Sequence, residues 1–217
     1  MIGYLSGLRL RQYDNLQKAS NRTLFVFPES AMHHYAAVPL DKSYLLLNHG
    51  PVTLVSSAAA GRQNVMAAAW AMPLEFSPPK VAVVIDAQTL TRELIEASGE
   101  FVLSIPVRAQ AERVLAAGSQ SGRDGDKFVL TGLSPLAASQ VGAPLIAGCA
   151  ACLECKVLPE AHNQQRYDLF IGEVVAAWAD PAVFSQGRWH FDTDAARTLH
   201  YVAGGAFFAT GEPVAVS

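Results

Sequence analysis

Apolar and polar residues alternate in short runs along most of the chain, and glycine or proline breaks the runs. "KVAVVID" (80–86) is a near-continuous apolar run, the pattern of a strand buried on both faces. "YLLLNHGPVTLVSSA" (44–58) holds β-rich runs around Pro51, and "NVMAAAWAMPLEF" (64–76) continues the same texture. "FVLSIP" (101–106), "CLECKVL" (152–158) and "DLFIGEVVAAWAD" (168–180) predict further strands. Helical spacing predicts only two clear helices. In "TLTRELIEASGEF" (89–101), Thr91 is the expected N-cap and Gly99 the expected stop. "RAQAERVLAAGSQ" (108–120) is expected to end at Gly118, before a polar, glycine-rich loop, "SGRDGDKF" (121–128). Six or more strands with two or three short helices argue for a mainly β protein built as a barrel.

Residues 1–43 have a different texture: they are more polar, with a short strand expected at "TLFVF" (23–27). We read them as an N-terminal extension ahead of one domain over 44–217, as 217 residues suit one domain with extensions. At 51% hydrophobic and 16% charged, the chain can bury a large core. A formal charge of −3 gives no electrostatic case for nucleic acid or an anionic membrane. No apolar run reaches the ~18 residues of a membrane span, and the N-terminus shows no leader pattern, so a cytoplasmic protein is expected.

Cys149, Cys152 and Cys155 are spaced C-x2-C-x2-C. A metal or iron–sulfur site would need a fourth ligand, and no fourth cysteine exists. Three buried thiols are expected instead, with Cys152 facing away from the other two. The adjacent His33 and His34 lack further ligands, so no metal site is expected. No nucleophile elbow or paired carboxylates stand out.

The stretch "GRQNVMAAAWAMPLEFSPP" (61–79) suits a flat ligand. Its alanines let a ring approach the backbone, and Trp70 can shield an edge. The helix beginning near Thr91 offers N–H groups to an anion. Each residue also has a plain reading: Asn64 as a turn residue, Trp70 as core, Lys127 as a solvated lysine.

Taken in order, these segments resemble the flavin reductase-like, FMN-binding split-barrel proteins, which include flavoredoxins and reductase components of two-component monooxygenases. The resemblance runs from about 44 to 212: the strands of 51–85 with their Ser-Pro-Pro, "TRELIEASGEFVLSIP", "GRDGDKF", "LECKVL", "FIGEVVAAW" and "LHYVAGGAFF". It implies a split β-barrel of Greek-key type with bound FMN. The implied activity is NAD(P)H-dependent flavin reduction without a protein nucleophile, with flavoredoxin-like electron transfer on tightly bound FMN, or a non-catalytic flavin-binding module, as the alternatives. A homodimer and a monooxygenase or other electron-acceptor partner are also implied. The implied cofactor residues are Asn64, Val65, Met66, Ala68, Ala69, Trp70, Thr91 and Lys127, with Thr91 and Lys127 at the phosphate. Many members carry a histidine before the Gly-Glu-Val strand; this chain has Tyr167 and Asp168 there, with His162 a few residues earlier.

Overall fold

The computed structural model describes residues 50–216, together with Pro39. The 43/44 boundary, the strand expected at 23–27 and His33–His34 lie outside the described residues.

Seven strands make the main sheet: β1 Thr53–Ala59, β2 Arg62–Ala68, β3 Ala71–Phe76, β4 Pro79–Val84, β5 Glu100–Ile105, β8 Ala151–Leu158 and β9 Leu169–Ala179; the two-residue strands β6 Pro135–Leu136 with β7 Leu145–Ile146, and β10 Phe184–Ser185 with β11 Arg188–Trp189, pair outside it. The order in the main sheet is β2-β1-β5-β8-β9-β4-β3, and every pairing is antiparallel. The two outermost strands, β2 and β3, follow each other directly in sequence. Seven strands laid flat would separate those edges by about 29 Å. Ala68 and Ala71 are only three residues apart, a reach of about 11 Å. The sheet therefore curls until its edges meet around Ala69 and Trp70, which gives a barrel split at that seam. Trp70 extends the β3–β4 ladder by one pair at the seam, its C=O accepting from the Val84 N–H at 3.0 Å.

Inside the barrel lie Val55, Val81, Val83, Ile85, Phe101, Leu103, Cys155 and Phe170. A second cluster on the other face of β1 and β2 joins Leu54 and Val65 to Val114, Ala117, Phe128 and Leu199. Successive residues of β1 thus enter opposite cores, as the period of two requires. Gly172 leaves room for that interior: a Cβ there would sit 2.5 Å from Phe101 Cζ and 3.1 Å from Cys155 Cβ. Gly172→Ala is expected to destabilise the protein by about 1–3 kcal/mol through overpacking. Urea unfolding measures it, and an unchanged midpoint would refute it.

Helix α1 (Leu90–Ser98) ends as expected at Gly99, in the left-handed region at φ 71°. Its N-cap is Thr89, not Thr91: the Thr89 side chain accepts from the Arg92 N–H at 3.2 Å. The cause is a turn, in which the Thr89 N–H donates to the Asp86 C=O at 3.1 Å and leaves Thr89 extended. Thr91 falls inside the first turn and is fully buried. Helix α2 (Ala111–Ser119) runs one residue past Gly118, whose bare Cα lets the helix close on β2; a Cβ there would meet Ala67 Cβ at 3.4 Å. The polar loop ends in a short helix, α3 (Lys127–Thr131), capped by Asp126 on the Phe128 N–H at 2.9 Å.

Cys149 precedes β8 and packs with Cys152 against Val102 and Ala143, while Cys155 sits in the barrel interior. Cys152 therefore sides with Cys149, not alone. Cys149 lies outside the strand, so alternation does not place it, whereas Cys152 and Cys155, three apart within β8, take opposite faces as expected. Burial pushes the Cys149 thiol up, with Cys152 adding to it, and pushes Cys155 up to about 12, helped by the Glu154 charge. Among the described residues no helix is long and apolar enough to cross a membrane.

Candidate functional site

β2 is an edge strand, so one row of its backbone groups has no sheet partner. Helices α1, α2 and α3 all pack against this strand. Two cavities open where they meet it. The first, about 300 Å³, is lined by Asn64, Met66, Thr91 and Lys127, together with Gln88, Thr89 and the Ser119–Gly122 backbone turn. The second, about 350 Å³, is lined by Ala68, Ala69, Trp70, Val114, Leu115, Tyr201 and Phe207. Ala67, Gly118 and Ser119 line both, so the two form one groove with a polar end and an apolar end.

At the polar end, Asn64 Nδ2 donates to Thr91 Oγ1 at 2.8 Å. With its oxygen already accepting, the Thr91 hydroxyl keeps its proton for another acceptor. Lys127 is 3% exposed and donates to the Ala117 C=O. Burial lowers its pKa from 10.5 to about 8. It is therefore not the solvated lysine of the plain reading. Hydroxyl, ammonium and the first turn of a nine-residue helix face one small volume, which suits an anion. Asn64 Oδ1 is buried and unpartnered among the described residues.

Seven of the eight predicted residues line this groove. Val65 does not: its side chain is fully buried in the cluster with Val114 and Phe128. Neighbouring residues of a strand face opposite ways, so the groove takes Asn64 and Met66 while Val65 goes to the core. Ala68 lines the groove but is only 8% exposed and belongs to the barrel interior. Trp70 is half exposed, not core.

Asp168 and His162 line neither cavity. Asp168 ends helix α4 (Ala161–Tyr167) in the left-handed region and pairs with Arg92. Arg92 also binds Glu96 at 2.7 Å and the Gln164 C=O at 2.8 Å, and lies 5.1 Å from the centre of the Phe170 ring. Burial opposes the Arg92 charge, but Glu96 and Asp168 outweigh it and raise the pKa. Asp168 thus anchors α1 to α4. The His162 ring packs edge-on against Tyr167 at 5.7 Å.

Sequence reasoning missed Gln88, Ser119, Gln120, Ser121, Leu115, Tyr201 and Phe207. Only the glycine-rich polarity of 118–125 signalled part of this set. Tyr201 and Phe207 arrive on the hairpin of β12 (Leu199–Ala203) and β13 (Ala206–Ala209), turned at Gly204 and Gly205.

A larger apolar cavity of about 530 Å³ lies at the barrel mouth, lined by Trp178, Phe184 and Trp189. It holds none of the predicted residues.

Comparison with known proteins agrees with this architecture. The sequence model of the flavin reductase like domain matches residues 46–205. An uncharacterized Escherichia coli protein, YddH, is 45% identical over 186 residues, covering 84% of this chain and 98% of that one. The crystal structure of an FMN-binding domain of a flavin reductases-like enzyme from Shewanella baltica is 50% identical, with a TM-score of 0.75 over 84% of this chain and 97% of that one. Flavoredoxin of Desulfovibrio vulgaris is 30% identical, with a TM-score of 0.68 over 77% and 90%. The split barrel, the groove along its edge strand and these matches together show that the chain belongs to the flavin reductase-like family.

Proposed function

We propose that the groove holds FMN and that the protein is an NAD(P)H-dependent flavin reductase. The observation that carries this reading is the convergence of three separate segments. Asn64 on β2, Thr91 on α1 and Lys127 on α3 reach one polar cavity, while Ala69 and Trp70 wall the apolar cavity joined to it. The residues fit the cofactor: an unpartnered buried Oδ1, a buried ammonium and a free hydroxyl proton are polar groups that a phosphorylated ligand satisfies. The relatives whose names include FMN-binding or flavoredoxin support the same cofactor.

Bound FMN would supply hydride acceptance from the nicotinamide. This chain's residues bind and orient. Thr91 and Lys127 hold the phosphate. The backbone row on the free edge of β2 faces the polar edge of the ring system, while the Ala68 C=O is already taken by the Thr53 hydroxyl at 3.0 Å. Ala69, Leu115 and Phe207 exclude water from its apolar part. Hydride transfer needs proximity rather than a protein nucleophile, so binding and orientation are the roles asked of these residues.

The protein is proposed to act as a homodimer. Its edge strand β3 exposes Met72, Leu74 and Phe76, the last 99% exposed, and such a strand invites a second copy. Reduced flavin or electrons then pass to a monooxygenase or another acceptor protein. A second reading is a flavoredoxin-like carrier that keeps FMN bound and takes electrons from a protein donor. Anaerobic addition of NADH or NADPH to the FMN-loaded protein separates the two. Rapid bleaching of the flavin band, followed by turnover of excess free FMN, is expected. No bleaching by either nucleotide would exclude the reductase and favour the carrier.

Lys127→Ala is expected to weaken FMN binding by about 1–3 kcal/mol and leave riboflavin, which has no phosphate, unchanged. The pH dependence follows from the lowered pKa of about 8. Below it the free protein already carries the ammonium, so affinity for FMN is full. Above it binding must also take up a proton, and affinity falls by about tenfold per pH unit. Titrations with FMN and riboflavin from neutral to alkaline pH check this; parallel curves for the two ligands would remove Lys127 from the phosphate.

A further inference from the structure

Gln88, Thr89, Leu90 and Thr91 all line the 300 Å³ polar cavity. They are consecutive, and they span the connection from β4 into the first turn of α1. The residues that bracket this stretch, Ile85 before it and Arg92 after it, do not line the cavity. One side chain joins the two ends: Arg92 Nη1 donates to the Ile85 C=O at 3.4 Å. Arg92 thus closes the loop that carries the cavity wall.

The same guanidinium fixes that loop to the rest of the molecule. It pairs with Asp168 and donates to the Gln164 C=O at 2.8 Å, one of the last four carbonyls of α4, which have no partner within their own helix. Its Nε binds Glu96 at 2.7 Å, and it lies 5.1 Å from the ring centre of Phe170 in the barrel interior. Asp168 is tied to the start of the loop as well, its C=O accepting from the Ile85 N–H at 2.8 Å. Arg92 is 7% exposed, so these contacts are shielded from water. The Asp86 turn shapes the loop from within, whereas Arg92 sets where the loop stands against the barrel and α4.

We infer that Arg92 is a positioning residue for anion recognition, a clasp that holds 88–91 so that the Thr91 hydroxyl and the first turn of α1 meet the ligand's phosphate. This rests on the FMN reading and goes beyond it, since Arg92 touches no part of the groove. The apolar end of the groove is walled by Ala69, Trp70, Leu115, Tyr201 and Phe207, none of which the clasp holds. Loosening it is therefore felt at the phosphate and not at the ring. Lysine cannot replace the arginine, because a single ammonium lacks the planar fork that reaches Ile85, Gln164, Asp168 and Glu96 together.

Titration of Arg92→Lys and Arg92→Met with FMN and with riboflavin, followed by fluorescence quenching beside thermal melting, tests this. Both variants are expected to weaken FMN by about five- to tenfold and to leave riboflavin within about twofold. An equal loss for the two flavins, or a lowered melting temperature with both affinities intact, would overturn the inference by making Arg92 a support of the fold alone. Salt separates positioning from attraction at a distance: the FMN loss should persist at about 1 M NaCl, and a loss that vanishes there would overturn it. Arg92→Lys combined with Thr91→Val should lose less than the two separate losses added, whereas full additivity would show that Arg92 does not act through Thr91. Should the Arg92 variants fail to fold, Asp168→Asn carries the test. Asparagine tolerates the left-handed φ of 55° at that position and removes only the charge, so it should weaken FMN about two- to threefold and spare riboflavin. An unchanged FMN affinity in Asp168→Asn would count against the clasp. A wild type that binds FMN no better than riboflavin ends the phosphate reading itself, a result seen before any variant is made.

Discussion

Glu154→Ala should cost about 3 kcal/mol, through the loss of several hydrogen bonds to one charged group. Glu154 is fully buried, yet it is surrounded by donors. Its carboxylate accepts from the Ser139 N–H at 3.0 and 3.1 Å, the Ser139 hydroxyl at 3.0 Å, the Trp178 indole at 2.7 Å and the Gln140 N–H. Burial alone would raise its pKa. The Ser139, Trp178 and Gln140 hydrogen bonds overcome that and hold it at about 2, below the ordinary 4.5. Alanine would take the acceptor from the Ser139 and Gln140 N–H groups and the Trp178 indole, and the loop at 139–140 would lose its tie to β8. The sign of the pH effect follows. A lowered folded pKa means the unfolded chain binds the proton more tightly, so the contribution is complete above about 4.5 and is lost as pH falls toward about 2. Its size is about 3 kcal/mol. Urea unfolding at pH 7 and pH 3 of the wild type and Glu154→Gln checks this. The glutamine variant should lose most of the difference between the two pH values. Equal acid sensitivity in both proteins would show that Glu154 is not the titrating group.

Ala69→Leu should abolish FMN binding, lowering affinity by about a hundredfold or more, and barely change the melting temperature. Ala69 is half-buried at the seam of the barrel and lines the apolar end of the groove. Three added carbons would occupy the space of a ring without pressing on the core. Ala68→Leu should behave differently. Ala68 is packed with Val55, Val81 and Phe101, so leucine there overpacks the barrel at about 1–3 kcal/mol. Flavin titration beside thermal melting separates the two positions. If Ala69→Leu bound FMN normally, the ring would lie elsewhere. If Ala68→Leu melted as the wild type does, the barrel interior would have unexpected slack.

Much of the fold was legible because local rules and burial agreed. "VAVVI" within "KVAVVID" is apolar throughout, and most of it is β4, where Val81, Ala82 and Val83 are buried on both faces. "RELIEAS" followed by Gly99 is a helix with a left-handed stop. "NVMAAAW" was legible as β structure, but its division into β2 and β3 was not. No strong turn residue separates Ala68 from Ala71, and the break comes from the closing of the barrel. "TLT" offered two hydroxyls for one cap. The choice fell to the Asp86 turn, whose hydrogen bond to Thr89 sequence spacing does not reveal.

The sequence by itself determined most of the strands, the α1 helix, the family and seven of the residues that line the groove, because periodicity and the order of motifs are local properties. The tertiary structure decided which face each group took. Both faces of β1 and β2 are buried, so alternation could separate Asn64 from Val65 without saying which belonged to the groove. Asn64 meets Thr91 across 27 residues, and Lys127 turns inward only because α3 packs beside α2 and β2. Glu154, which nothing in its neighbourhood marks as special, became a buried anchor when a loop from 15 residues earlier folded over it. These contacts depend on how the curled sheet brings distant segments together, and that closure is a property of the whole chain.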